Sequence, residues 1–163
     1  METIQFGELY ERYARDVLRF AWYLTGSRQE AEDITSETFV RAWMDSGTLR
    51  VDTIKAYLFT IARNLHVDWR RREARRGELG DEPVDPSPGP EGETGSRSEL
   101  RAVTKALQQL PEVDRAALLM RTHEELSYEA IASALGLTVV AARVKVHRAR
   151  MRLAVLLGKE DPC

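Results

Sequence analysis

Two arginine clusters are the side chains of this sequence best suited to chemistry with a charged partner. The first is WRRREARR, residues 69–76, in which Arg70, Arg71, Arg72, Arg75 and Arg76 accompany a single acid, Glu73. The second runs from Arg143 through Lys145, Arg148 and Arg150 to Arg152, with no acidic residue between Ala141 and Gly158. Guanidinium forks match phosphate oxygens in bidentate geometry, so both clusters point toward a nucleic-acid backbone. Ahead of the first cluster, Thr60, Asn64, Asp68 and Arg71 follow one another at spacings of four, four and three. That spacing sets them on one helical face, where amide and guanidinium groups suit base edges and phosphates. A charge run by itself describes a solvated face just as well, so the elements that carry these residues decide. Nothing comparable supports catalysis or metal binding. His66, His123 and His147 are scattered without ligand spacing, Cys163 is the only cysteine, and no glycine-rich phosphate loop follows a strand. No catalytic residue, metal or cofactor is expected.

The second cluster lies in LSYEAIASALGLTVVAARVKVHRARMRL, residues 126–153. Ser127 caps a short helix whose Ala130, Ile131, Ala134 and Leu135 form one apolar face. Gly136 ends it, being free to adopt a left-handed backbone, and Leu137 packs the turn. Thr138 caps a second helix, in which Ala142, Val146, Ala149 and Leu153 form an inward stripe and the basic residues occupy the remaining sides. A short helix, a glycine turn and a basic helix make a helix-turn-helix whose second helix suits a DNA major groove.

Upstream, Phe6, Tyr10, Tyr13, Val17, Phe20 and Leu24 recur at helical spacing up to Gly26. Ser27 and Glu30 open a second helix to about Met44, with Ala31, Ile34, Thr38 and Trp43 expected inside. Asp33, Glu37, Val40, Arg41 and Met44 form a mixed outer side, suited either to ordinary surface or to docking. After the polar loop 45–52, a third helix starts near Thr53 with Ile54, Tyr57, Leu58, Ile61, Leu65 and Trp69 inside. Residues 77–97, with four prolines and five glycines, read as a flexible acidic linker. Beyond it, Leu100, Val103, Ala106, Leu107 and Leu110 mark a helix ended by Pro111, and Asp114–Met120 starts the next. The chain is therefore expected to be all-α, with two small helical domains, 1–76 and 98–163, joined by the linker.

Charge follows the same division. The net −2 conceals 13 cationic against 12 acidic side chains over 1–76, one against six over 77–98, and 10 against eight over 99–163. The local field at a groove, not the total, governs phosphate contact. METIQFGELYERYARD lacks the basic start and apolar core of a signal peptide, and no apolar run approaches the ~20 residues that span a bilayer. A cytoplasmic protein without direct membrane contact is expected.

Three segments together resemble the group IV, extracytoplasmic-function sigma factors of bacterial RNA polymerase. AEDITSETFVRAW is similar to the polymerase-binding helix of that family, AEDLxQExFxxxW, with Asp33, Glu37, Phe39 and Trp43 in place. AYLFTIARNLHVDWRRR is similar to the −10 segment AWLxxIARNxxxDxxRR, matching Ala62, Arg63, Asn64, Asp68 and Arg71. The helix-turn-helix resembles LSYEEIAEILGISVGTVKSRLHRARKKL, the −35 reader. Departures are Ser36 in place of glutamine, and Val140-Ala141-Ala142 in place of Gly-Thr-Val. The second should alter phosphate contact and −35 preference.

The resemblance implies a factor that directs core RNA polymerase to promoters. Asp33, Glu37, Phe39, Val40 and Arg41 would contact the clamp of the largest subunit. Thr60, Arg63, Asn64, Asp68, Arg70, Arg71 and Arg72 would bind the −10 element and hold an unstacked base. Thr138, Val140, Arg143, Val144, Lys145, His147 and Arg148 would bind the −35 duplex. The acidic linker would cross the active-site cleft, and an anti-sigma factor is expected as a regulatory partner. A free-standing helix-turn-helix regulator is the rival class, but it has no use for the AED…F…W helix. An interaction protein whose helices mainly bind a regulatory partner is a further alternative.

Overall fold

The computed structural model describes residues 6–45, 54–77 and 97–159. Most of the 45–52 loop, the 77–97 linker except its two end residues, and Cys163 lie outside the described residues. Within them the chain is all-α, as its periodicity requires. The order is α1 (Phe6–Thr25), α2 (Arg28–Met44), α3 (Ile54–Arg76), α4 (Arg97–Gln108), α5 (Glu112–Thr122), α6 (Tyr128–Leu135) and α7 (Val139–Leu156).

The capping chemistry sets the boundaries. The Ser27 and Thr138 hydroxyls accept the Glu30 and Ala141 N–H groups at 3.3 and 3.0 Å, satisfying donors that the first helical turn leaves open. Ser27 thus opens α2 and Thr138 opens α7. Ser127 caps α6 in the same manner by accepting from Ala130 N–H. Gly136 ends α6 at φ 67, and α6 and α7 meet at 96°, the crossing a helix-turn-helix requires.

In the first domain, α1, α2 and α3 pack mutually. Val17, Phe20 and Leu24 meet Ala31, Ile34 and Ala42, and also Leu58, Phe59 and Leu65, in one dry core. Phe20 and Phe59 stack edge to face with centroids 4.9 Å apart. The first turns of α1 depart from the sequence expectation. Phe6 and Tyr10 are exposed, while Leu9, in the same first turns, is buried in the core. Trp43, expected inside, is 59% exposed. At 3.6 residues per turn it lies about 120° from Ala31, beyond the arc of Ala31, Ile34, Thr35, Thr38 and Ala42 that is buried.

The two domains do not stand apart: α4 and α5 pack on α1, and α6 packs on α3, so a single apolar core runs through both. Polar clips fix the seam. Buried Arg115 on α5 donates to the carbonyls of Leu107, Gln108 and Leu110 at 2.8, 3.4 and 2.9 Å, and to Leu24 at the end of α1 at 2.6 Å. One guanidinium thus serves C-terminal carbonyls of two helices from different domains. Glu124 is fully buried and accepts from Arg19 at 3.1 Å, with Lys55 at 3.8 Å. The next residue, Glu125, adopts a left-handed φ of 57. Gln108 donates to the Tyr23 carbonyl at 2.9 Å. A Cβ on Gly26 (φ 73) would come within 2.9 Å of that glutamine, so this glycine both ends α1 and seats the second domain.

Candidate nucleic-acid and polymerase interface

Three faces carry the residues expected to act. On α2, Asp33, Val40 and Arg41 are exposed and Glu37 is partly so, with Arg41 Nε donating to Glu37 at 3.3 Å one turn away. Phe39 does not belong with them. It is 1% exposed and stacks on Tyr10 with centroids 5.0 Å apart, so its place in the motif reflects the core and not a contact surface. The surface also contains an apolar strip, of which the sequence placed Val40 and Met44 outside but not Trp43 or its partner Phe6. Trp43 sits edge-on to Phe6 at 6.1 Å, beside Val40 and the 75% exposed Met44. A strict 100°-per-residue projection of α2 would have found Trp43; the Phe6 partner depends on tertiary packing.

Along α3, Asn64, Asp68, Arg71 and Arg72 are exposed, and Thr60 and Arg70 are half-buried. The Thr60 hydroxyl donates to the Ala56 carbonyl at 2.7 Å, which leaves its lone pairs as acceptors facing outward. Arg70 pairs with Glu73 at 3.6 Å. Arg63 is the exception. Its guanidinium engages Glu112 of the second domain in a two-point pair, Nη2 at 2.6 Å and Nε at 3.0 Å. In this conformation a carboxylate therefore holds the place expected of a nucleotide phosphate. Behind this face lies His66, buried and with its pKa lowered from 6.5 to about 3 by desolvation, then by Arg115, Arg70 and Arg63. The imidazole is neutral at physiological pH.

On α7 the inner stripe is as expected, with Ala142, Val146 and Ala149 buried and Leu153 partly so. Val140, Arg143, Val144, His147 and Arg148 share the exposed side, and Thr138 is exposed at its head. Lys145 is drawn aside to Asp114 of α5 at 3.3 Å, an ion pair within the domain that the sequence expectation of a phosphate contact did not foresee. Arg143 also has a partner missing from the sequence reading. Tyr128, first residue of α6, is approached by two guanidiniums, with Arg121 at 4.2 Å and Arg143 at 5.2 Å from its ring centroid. No sequence spacing relates 121, 128 and 143; the helix-turn-helix crossing brings them together.

A cavity of about 360 Å³ lies at the seam, lined by Tyr23 of α1, Val103 and Leu107 of α4, Leu118 of α5, and Arg150 and Leu153 of α7, among others. Among the described residues, no single helix is long and apolar enough to cross a membrane.

These features match known proteins. Residues 9–76 fit the Sigma-70 region 2 model and residues 100–153 the Sigma-70 region 4 model. The ECF RNA polymerase sigma factor SigE of Mycolicibacterium smegmatis is 36% identical over 160 residues, spanning 94% of this chain but 62% of that protein's length. SigL of Mycobacterium tuberculosis is 31% identical, covering 91% of this chain and 86% of its own. Among solved structures, RpoE of Bartonella quintana, crystallised with the anti-sigma factor NepR, superposes with a TM-score of 0.85 at 28% identity, over 95% of this chain and 98% of that one. CnrH in complex with the cytosolic domain of CnrY gives 0.67 at 25% identity, over 94% and 87%. With both regions present in order on one helical chain, this protein belongs to the ECF family of RNA polymerase sigma factors.

Proposed function

We propose that this chain is a non-enzymatic, cytoplasmic specificity subunit that binds core RNA polymerase and selects promoters. Its domains are residues 1–76 and 98–163, on either side of the 77–97 linker. The observation that carries this reading is the exposed strip Val140, Arg143, Val144, His147 and Arg148 on a capped helix held at 96° to α6. A helix so presented enters a major groove with its N-terminal half against the base edges.

The remaining roles rest on the family resemblance, and the exposure of most of these residues supports them. Asp33, Glu37, Val40 and Arg41 dock on the polymerase clamp, with Trp43 and Met44 adding apolar area at the rim. Trp43→Ser is expected to weaken core binding about tenfold, since aromatic anchors dominate interface energetics. A fluorescence titration of core polymerase giving an unchanged Kd would remove Trp43 from the interface.

Thr60, Asn64, Asp68 and Arg70 to Arg72 address the −10 element, where flipping a base costs a few kcal/mol that a pocket and phosphate clamps must offset. Arg63 joins them only after the Glu112 pair opens, so promoter engagement requires the two domains to separate at that point. The anti-sigma partners of RpoE and CnrH support an anti-sigma factor as the regulator of this chain as well.

At the −35 element, Arg143→Ala should cost about 1–3 kcal/mol and relax base choice. An equal loss on a scrambled −35 duplex would show that Arg143 contacts backbone only. The decisive experiment is run-off transcription with bacterial core polymerase, this protein and the DNA upstream of its own gene. A transcript that depends on the protein establishes the role. Neither transcript nor core binding would sink it and favour a free-standing regulator.

A further inference from the structure

The leading part of α7 presents hydrocarbon where a phosphate-binding helix would present charge. Val140 is 71% exposed and Val144 45% exposed, one turn apart on the side that also bears Arg143 and His147. Solvent exposure of two such side chains is unfavourable, and neither packs into the core described above. Both are β-branched, so each holds one dominant rotamer in a helix and loses little freedom on contact. Arg143, between them in sequence, is drawn toward the Tyr128 ring at 5.2 Å, and Arg121 lies over the same ring at 4.2 Å. Lys145 is drawn to Asp114. The first turn of α7 contains no acid and is capped by Thr138, so its positive end is unopposed toward a phosphate backbone.

We infer that Val140 and Val144 are specificity-determining residues that read the 5-methyl groups of two thymines in the −35 element. The inference rests on the proposed −35 role of α7 and names what that helix selects. In the major groove a thymine differs from every other base by an apolar methyl, and an apolar side chain is its natural complement. Four residues at 1.5 Å rise separate the valines by about 6 Å along the helix. At 3.4 Å per base pair this corresponds to thymines about two steps apart, on either strand. Arg143, adjacent to Val144, reaches the base pair between or beside them.

Deoxyuridine isolates the methyl, because it keeps every hydrogen-bonding group of thymine. Holoenzyme formed from core polymerase and the full chain is first given a randomised −35 duplex to define the element. Thymines in the selected sequence are then replaced by uracil one at a time. Wild-type holoenzyme should bind about fourfold more weakly for each of two uracils, the loss expected for one buried methyl group. Val140→Ala should be insensitive to one of those substitutions and Val144→Ala to the other; both positions are exposed, so the fold is retained. Equal affinity for thymine and uracil templates, with Arg143→Ala still weakening −35 binding, overturns methyl reading and leaves the promoter role standing. Binding that ignores the −35 sequence altogether overturns both.

Discussion

Arg115→Leu is expected to destabilise the protein by about 3 kcal/mol. The guanidinium is buried and supplies donors to four carbonyls, three around the end of α4 and one, at 2.6 Å, at the end of α1. Leucine keeps much of the apolar stem but orphans those acceptors, each costing about 1–3 kcal/mol where water cannot replace the donor. Part of this is offset because burial of the cation is itself unfavourable: desolvation holds the Arg115 pKa down to about 10, against the opposing pull of Glu112. Lysine should not rescue, since a single ammonium cannot span the end of α4 and the end of α1 together. Urea denaturation at pH 7.5 measures the effect through the midpoint. A loss below about 1 kcal/mol would mean that these carbonyls find other partners and that Arg115 is dispensable to the seam.

The second large effect is with pH. His66 has a folded pKa of about 3 against 6.5 when free, so the folded state accommodates only the neutral ring. Its contribution is complete above pH 6.5 and is lost progressively as pH falls from 6.5 toward 3. Between pH 7.5 and 5 the loss amounts to about 2 kcal/mol. Glu124 acts in the opposite sense. Burial raises its pKa above 4.5 despite Arg19 and Lys55, so its protonation favours the folded state and blunts the decline as pH approaches that raised value. His66→Leu, which keeps an apolar side chain in a buried position, should flatten the stability profile over pH 5–7.5. An unchanged decline in that variant would move the titration to another group.

How much of this was legible in the sequence depends on whether the deciding interaction was local. Helix identities, the glycine stops at Gly26 and Gly136, the caps at Ser27, Ser127 and Thr138, and the exposed side of α7 follow from spacings of three and four and from single-residue backbone chemistry. These appear in the structure as expected. Phe39 was assigned to a contact because motif membership does not distinguish a residue kept for packing from one kept for contact. Trp43 was placed inside by a loose reading of helical spacing, although it lies about 120° from Ala31. Arg63 and Lys145 were identified as cations but not as cations with carboxylate partners. Glu112 is 49 positions from Arg63 and Asp114 is 31 from Lys145, and no periodicity links them. The seam as a whole was invisible for the same reason: Arg115, Glu124 and Gln108 look like ordinary polar surface until α1 is placed against α4 and α5.

The pair of Arg63 and Glu112 also has a meaning in binding kinetics. On the proposed −10 role of Arg63, Glu112 is a competitor built into the chain, and it meets Arg63 at the effective concentration of a tethered ligand, of order millimolar for flexible linkage and higher in a packed seam. DNA must therefore outbid a partner that never diffuses away. The apparent promoter affinity is the intrinsic one reduced by the fraction of molecules in which that pair is open. For such a chain, affinity for DNA is not a property of the reading helices alone but also of how often the rest of the protein releases them.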